Sequence, residues 1–406
     1  MRAKPRCPTR ESARCIGLAF VMSLRLGAML PVGLAIAACA GAPPPTIDTT
    51  STPQPTQTPL VTISPAPSLT PSIRPTAAEV PSPHAAASED QAVISALNAA
   101  SLSPWWSMPA EYQITRAEWS RDETLLAIDS PKGIQLWAFP GLRYIGTINA
   151  SSSDFAFIEG PGGPMLLVGD WGSVVVWDPI LQAPGGEYRD RRDVSNPASL
   201  GLSADGKRLA SSLARDSGVG IHTVMHIWEV ESGEQLLTIQ VSPILVALEI
   251  AFRPDGAEIA AARRANSTVY FWDTQTGTAL GRLEGEAVEY SPRGDVVATT
   301  RGRSVWIWDA ETKGLVRVLQ VSGEEVSPPI AFSPDGSLLA VGVNSLTIWE
   351  TADWTEVTAL PISGGSLQFL RFSPSGRYLA AINGQSEAAG AGYSDAYTAT
   401  IWAVAD

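Results

Sequence analysis

"IAFSPDGSLLAVGVNSLTIWE", Ile330 to Glu350, decides the architecture of this chain. "IAF" is a short apolar run of the kind that forms a strand. "SPDG" then supplies Pro, Asp and Gly, the residues a tight hairpin turn requires. "LLAV" is a second apolar run. After a short gap comes "TIWE", a third strand that ends in Trp349.

The same grammar recurs along the chain. Six segments align without gaps: "AEWSRDETLLA" ending at Ala127, "LGLSADGKRLA" at Ala210, "IAFRPDGAEIA" at Ala260, "VEYSPRGDVVA" at Ala298, "IAFSPDGSLLA" at Ala340 and "LRFSPSGRYLA" at Ala380. The last four are spaced by 38, 42 and 40 residues. The 83 residues from Ala127 to Ala210 make two periods, with a degenerate copy, "FAFIEGPGGPMLLVG" (Phe155 to Gly169), between them. That makes seven units. In each, a third strand ends in tryptophan: Trp137, Trp177, Trp228, Trp272, Trp308, Trp349 and Trp402. A further turn such as "DTQTG" and a fourth strand such as "TALGRLEG" follow most of them.

Four short antiparallel strands per period of about 40 residues describe one propeller blade. One blade cannot bury both of its faces, so seven must pack around an axis. The expected fold is all-β: a seven-bladed β-propeller of four-stranded antiparallel blades over residues 90–406. The last blade holds only three strands before Asp406. An open ring would expose an unpaired sheet edge. Residues 99–108, "AASLSPWWSM", are therefore expected to supply the missing strand and to pair with the strand around residues 400–404. Of the Trp105–Trp106 pair, one ring is expected in the closing blade and the other at its edge.

"SPDG…LA…IWD" repeated in this way resembles the WD-repeat (Trp-Asp repeat) family, over about three-quarters of the chain. The resemblance implies a propeller that displays binding surfaces. The chain departs from the family pattern in two respects. No repeat has Gly-His before its first strand, and Asp follows only Trp177, Trp272 and Trp308. The family's buried Asp-His-Ser/Thr-Trp hydrogen-bond network is accordingly not expected, and the seven tryptophans are assigned a packing role. Export-compartment propellers of TolB type also use "SPDG" but generally lack the tryptophan that ends strand three.

The N-terminus has another character. Residues 1–25 carry six Arg or Lys, and Leu26 to Ala38, "LGAMLPVGLAIAA", is apolar. Basic residues, a short apolar core and small residues form an export-signal pattern. At about 1.5 Å per residue this core is too short to span a bilayer of about 30 Å. "IAAC" (Ile36–Cys39) resembles the bacterial lipobox, which implies cleavage before Cys39 and a lipid on that cysteine. Residues 1–38 are thus expected to be a lipoprotein signal peptide, and "MSLRLGAMLPVGLAIAAC" from Met22 would be a compact one by itself. The chain's other cysteines, Cys7 and Cys15, lie in the removed segment. The exported domain then has no disulfide and no thiolate metal site. Residues 39–89 are rich in Pro, Thr, Ser and Ala. Such a stretch buries too little to build a core and reads as an extended, disordered linker.

Charge and chemistry narrow the function. The chain has a formal charge of −13, and without residues 1–38 it keeps 22 basic and 40 acidic side chains, or −18. A nucleic-acid-binding protein needs a basic footprint, so nucleic acid is excluded as a partner and membrane attachment falls to the lipid. No P-loop, EF-hand loop or other cofactor motif is present. His222 and His226, four apart on a strand, lie about 13 Å from each other, too far to share a metal. "RGD" (Arg293 to Asp295) is read as a turn.

Loops joining strands two and three share one rim with those joining strand four to the next blade. That rim is expected to carry Arg191, Arg192, Arg215, Arg263, Arg264, Arg301 and Arg303, which marks it as a surface for an anionic partner, such as an acidic protein patch or a charged envelope polymer. The competing reading is that these arginines balance local acids such as Asp190. Insertions at 211–222 and 383–397 are expected to lengthen loops on that rim. The function expected is that of a monomeric, membrane-anchored, extracytoplasmic scaffold for protein–protein interaction. The alternatives are a propeller hydrolase or lyase using carboxylates on one face, and a periplasmic assembly factor of TolB-like type.

Overall fold

The computed structural model describes residues 91–405 except 111–112, 151–153, 171, 191–198, 217–220, 243–248, 264–265, 323–326, 363–364 and 386–395. The expectations for Cys39, the signal peptide and the linker lie outside the described residues, as do Arg191, Arg192 and Arg264.

A short 3₁₀ turn (Ala99–Ser101) leads into β1 (Leu102–Ala110). Blade 1 is β2 (Ala117–Trp119), β3 (Leu125–Ile128), β4 (Ile134–Ala138) and β5 (Arg143–Ile148). Blade 2 is β6 (Phe155–Gly160), β7 (Gly163–Asp170), β8 (Ser173–Asp178) and β9 (Ala183–Arg189). Blade 3 is β10 (Ser199–Leu202), β11 (Arg208–Asp216), β12 (Ile221–Glu229) and β13 (Gln235–Ser242). Blade 4 is β14 (Glu249–Phe252), β15 (Glu258–Arg263), β16 (Thr268–Asp273) and β17 (Ala279–Glu284). Blade 5 is β18 (Ala287–Tyr290), β19 (Val296–Arg301), β20 (Ser304–Asp309) and β21 (Leu315–Gln320). Blade 6 is β22 (Ile330–Phe332), β23 (Leu338–Gly342), β24 (Ser345–Glu350) and β25 (Thr355–Pro361). Blade 7 is β26 (Ser366–Phe372), β27 (Leu379–Gln385), β28 (Ala396–Val404) and β1.

Each blade is one four-stranded antiparallel sheet in chain order, apart from the seventh, whose order is β1-β28-β27-β26. The ring therefore closes as the sequence predicts. Leu102 lies opposite Val404, Ser107 opposite Thr400 and Met108 opposite Ala399. The register shifts between Pro104 and Trp106. That shift leaves Trp105 37% exposed against Phe139 and Tyr378. Trp106 packs edge-on to Trp137 in the blade 7–blade 1 core.

The "SPDG" turn works as its residues demand. In blade 6 the Gly336 N–H donates to the Ser333 carbonyl at 2.8 Å, and the Ser333 N–H donates to the Leu338 carbonyl at 3.0 Å. The Ser333 hydroxyl donates to Asp335 at 2.6 Å and accepts from the Leu338 N–H at 2.9 Å. Gly336 sits at φ +68°, a region that glycine enters without steric cost. Blade 1 puts Glu123 (φ +55°) at the same place. The Glu123 carboxylate accepts hydrogen bonds from the N–H and hydroxyl of Ser375 in blade 7. The one turn without glycine is thus the one that ties the closing blade to the first.

Burial explains why the second strands read as continuous apolar runs. β3 and β23 are buried at every position, whereas outer strands such as β21 are mostly exposed. Blades converge toward the axis, so the second strand leaves room for small side chains. Ala127, Ala210, Ala260, Ala298 and Ala340 are completely buried there. Farther out, where blades splay apart, the tryptophans fill the wedge. Trp272 joins a cluster that spans blades 3 and 4, and Trp349 packs against one that spans blades 5 and 6.

Part of the tryptophan hydrogen bonding departs from expectation. The Trp228 indole N–H donates to Ser211 at 3.1 Å and that of Trp308 to Thr299 at 2.9 Å. The equivalent residues in the other blades are Ile128, Val168, Ala261, Val341 and Ala381, which carry no acceptor. Tryptophan–hydroxyl hydrogen bonds therefore form in blades 3 and 5, where a hydroxyl stands two residues beyond the position opposite the tryptophan. The insertion at 211–222 differs from expectation: it extends a hairpin, with β11 pairing β12 out to Asp216–Ile221. At 383–397, β27 pairs with β28 out to Gln385–Ala396, and the intervening residues 386–395 lie outside the described residues. Continued backbone pairing satisfies N–H and C=O groups that a loop would leave to water.

Candidate functional site

The arginines assigned to the rim have different surroundings. Arg215, near the end of β11, is buried. Its guanidinium donates to Asp190 at 2.5 Å and lies 3.0 Å from His226 Nε2. Arginine only donates, so His226 Nε2 accepts and Nδ1–H faces the Thr238 hydroxyl at 2.9 Å. Asp190 follows the last strand of blade 2, so this chain fastens blade 2 to blade 3. Arg263 is half-buried at the end of β15, opposite Thr268.

Arg301 and Arg303 are exposed and share the tight β19–β20 turn. Arg301 forms a 2.7 Å pair with Glu284 in which both side chains are about half exposed. Such a pair contributes about 0–1 kcal/mol. The two arginines line a cavity of about 350 Å³ together with Gly302, Ser304, Trp306 and Gln320. The Gln320 amide donates to the Ser304 hydroxyl at 3.1 Å, and the Trp306 ring leans on Trp308 at 5.6 Å. Two guanidinium groups, a hydroxyl, an amide and an indole form a set suited to a carboxylate or other anion carried on an apolar body.

A second charged region lies on the axis. The first strands of all seven blades touch in a closed ring, so they line the central channel. Arg371 of blade 7 donates to Glu118 of blade 1 at 3.0 Å and interacts electrostatically with Glu289 of blade 5 and Glu249 of blade 4. Arg116 pairs with Asp154 at 2.6 Å and lies 3.7 Å from Glu118. The Asp154 carboxylate also accepts the Leu200 N–H at 2.5 Å. Burial raises the Asp154 pKa, and Arg116 opposes that shift. Glu289 accepts the Phe332 N–H at 3.3 Å, and burial pushes its carboxyl up to about 7 against the pull of Arg371. The Arg371 side chain is 45% open to channel water even though protein surrounds it, so screening tempers every interaction in the ring.

The sign of the pH effect follows. Native Glu289 holds a proton between pH about 4.5 and 7 that the unfolded chain has already released. Stability must then fall as pH rises through that window, by about 1–3 kcal/mol allowing for channel water. Glu289→Gln is expected to flatten this part of the stability–pH curve and to be more stable than the native chain at pH 8. Urea melts at half-unit steps check it, and parallel curves would show that Glu289 does not titrate there.

The sequence reading assigned no role to Glu118, Glu289 or Arg371, or to Trp306, Ser304 or Gln320. The channel residues had a visible signal. They stand two before the turn-opening serine, a column held by Gly201, Ala251 and Ala331 in other repeats. A charge in a column otherwise small marks a residue facing water on the axis. The Trp306 cavity had none, because it depends on cross-strand register. Among the described residues, no three His, Cys, Asp or Glu side chains converge to hold a metal ion. No protein-family model matches this sequence, and no curated protein matches it. The fold itself is that of a repeat protein: a seven-bladed β-propeller of four-stranded antiparallel blades.

Proposed function

We propose that this chain is a WD-repeat-type scaffold for protein–protein interaction, held outside the cytoplasm on residues 39–89 and anchored by lipid on Cys39. The supporting observation is the exposed Arg301–Arg303 pair around a cavity with an indole wall, on a chain of formal charge −13. Concentrated positive charge on an acidic protein favours an anionic partner and disfavours others. Propellers keep their rim loops on a rigid frame, where binding residues are held in place. The channel carboxylates Glu118, Glu249 and Glu289 all lean on Arg371, which reads as charge balance rather than an acid–base pair, so a scaffold is preferred to a hydrolase or lyase.

Arg301→Glu with Arg303→Glu is expected to change Tm by less than about 2 °C, since both side chains are exposed. The same variant is expected to remove the partner captured from envelope extracts. An unchanged set of partners moves the site elsewhere. Cys39→Ser is expected to release the protein from the membrane fraction or to leave it unprocessed, because stable anchoring needs acyl chains. A Cys39→Ser protein cut at the same point and still bound to membranes overturns the anchor.

A further inference from the structure

Every blade ends in an outer strand whose far edge has no partner in its own sheet. Most of these edges carry interruptions that deter pairing. β9 contains Pro184, Gly185 and Gly186, β5 contains Gly146, β17 contains Gly281 at φ +149°, and β25 ends in Pro361. Two outer strands, β13 ("QLLTIQVS") and β21 ("LVRVLQ"), have neither glycine nor proline, and of these only β21 pairs that continuity with a broad apolar exposure. It exposes Leu315 (54%), Val316 (50%) and Val318 (39%), whereas no other described strand exposes more than one large apolar side chain.

The Arg301–Arg303 cavity adjoins this edge. Gln320 lies opposite Ser304, and Val318 lies opposite Trp306. Side chains two residues apart share a face of a strand. One face of the blade 5 edge therefore presents Val318 and Gln320, backed by Trp306 and Ser304. The register shift between Ile307 and Trp308 puts Leu315 opposite Trp308 and leaves the exposed Val316 as the extra residue at the bulge. The two arginines stand at the end where β20 begins.

We infer that the β21 edge and the Arg301–Arg303 cavity form one groove for an extended acidic peptide segment of a partner protein, which adds to blade 5 as a fifth strand. The inference rests on the scaffold reading and names the form of its ligand. Main-chain hydrogen bonds to β21 provide affinity, and every second side chain of the peptide lies along Val318 and Trp306, with the exposed Val316 beyond them at the bulge. An acidic side chain or terminal carboxylate at one end meets the Arg301 guanidinium in place of Glu284, next to Arg303. An acidic peptide is favoured over a second copy of this chain, because pairing two β21 strands brings Arg317 of each copy to the same seam.

The test pans a phage-displayed library of ten-residue peptides on the full chain. Enriched peptides are expected to alternate β-branched or apolar residues and to carry Asp or Glu at one end. Arg301→Glu with Arg303→Glu is expected to weaken them at least tenfold. Val316→Lys with Val318→Lys is expected to do the same while keeping the melt. Backbone N-methylation of alternate peptide residues is expected to abolish binding, and bound peptide is expected to slow amide exchange in β21. No enrichment, equal binding to the variants, binding that survives N-methylation, or protection elsewhere overturns the inference. So does a dimer by light scattering that Val316→Lys with Val318→Lys dissolves, because the second copy is then the occupant. If charge reversal removes the captured partner while N-methylated peptide still binds, the scaffold reading stands and strand addition falls.

Discussion

Deleting residues 90–110 abolishes the cooperative melt of the propeller. β1 supplies the fourth strand of blade 7 and pairs with β28 from Leu102–Val404 to Ala110–Tyr397. The same segment places Ile94, Ala99 and Leu102 in the core shared with blade 6. It also fastens the Ile94 N–H to the Gly376 carbonyl at 3.0 Å and the Ala405 N–H to the Ser101 carbonyl at 2.9 Å. Without it, β28 becomes a bare edge and the ring opens at its only seam between chain ends. Neighbouring blades share each core cluster, so an opened ring frays from both sides instead of losing one blade. Circular dichroism melts should show a broad, shallow transition in place of a sharp one, and a synthetic peptide of residues 90–112 should restore part of the cooperativity. A truncated chain that melts like the full one would show that the seam contributes nothing.

Arg215→Met lowers stability by about 3–5 kcal/mol, the cost of removing one partner from a buried ion pair. At this domain size that is about 5–8 °C in Tm. The side chains of Arg215 and Asp190 are 9% and 11% exposed, and His226 is completely buried. The substitution takes from Asp190 its 2.5 Å guanidinium and from His226 Nε2 its donor. Combining Arg215→Met with Asp190→Leu should recover part of the loss, since an apolar pair of similar volume replaces a buried ion pair at little cost. A double-mutant cycle by urea denaturation checks both figures. A single-variant Tm within about 1 °C of the native value would mean that the pair has no net effect.

Much of the architecture was legible because its causes are local. "SPDG" specifies a turn through the φ of proline, the carboxylate of Asp335 and the left-handed Gly336. Tryptophan at the end of strand three and alanine on strand two recur with the period because blade spacing widens outward from the axis. The missing fourth strand in blade 7 was visible as a count, and residues 99–108 were the nearest segment able to fill it. The column that carries the Trp–hydroxyl bonds is also local in sequence, since Ser211 and Thr299 are the repeats' hydroxyls there.

The site was much less legible. Arg215 and Arg301 look alike as sequence, each an arginine at the end of a second strand. Only the tertiary structure decided that one is sealed between blades 2 and 3 and the other faces water. The distinction depends on where Asp190 and Glu284 arrive in space, and Asp190 is 25 residues away in sequence from its partner. Glu289, Arg371 and Glu118 meet across the axis from blades 5, 7 and 1, so no local pattern places them together. The composition and period of a repeat determine the ring. The pKa of Glu289 and the cavity at Trp306 depend on distances that exist only once the ring has closed.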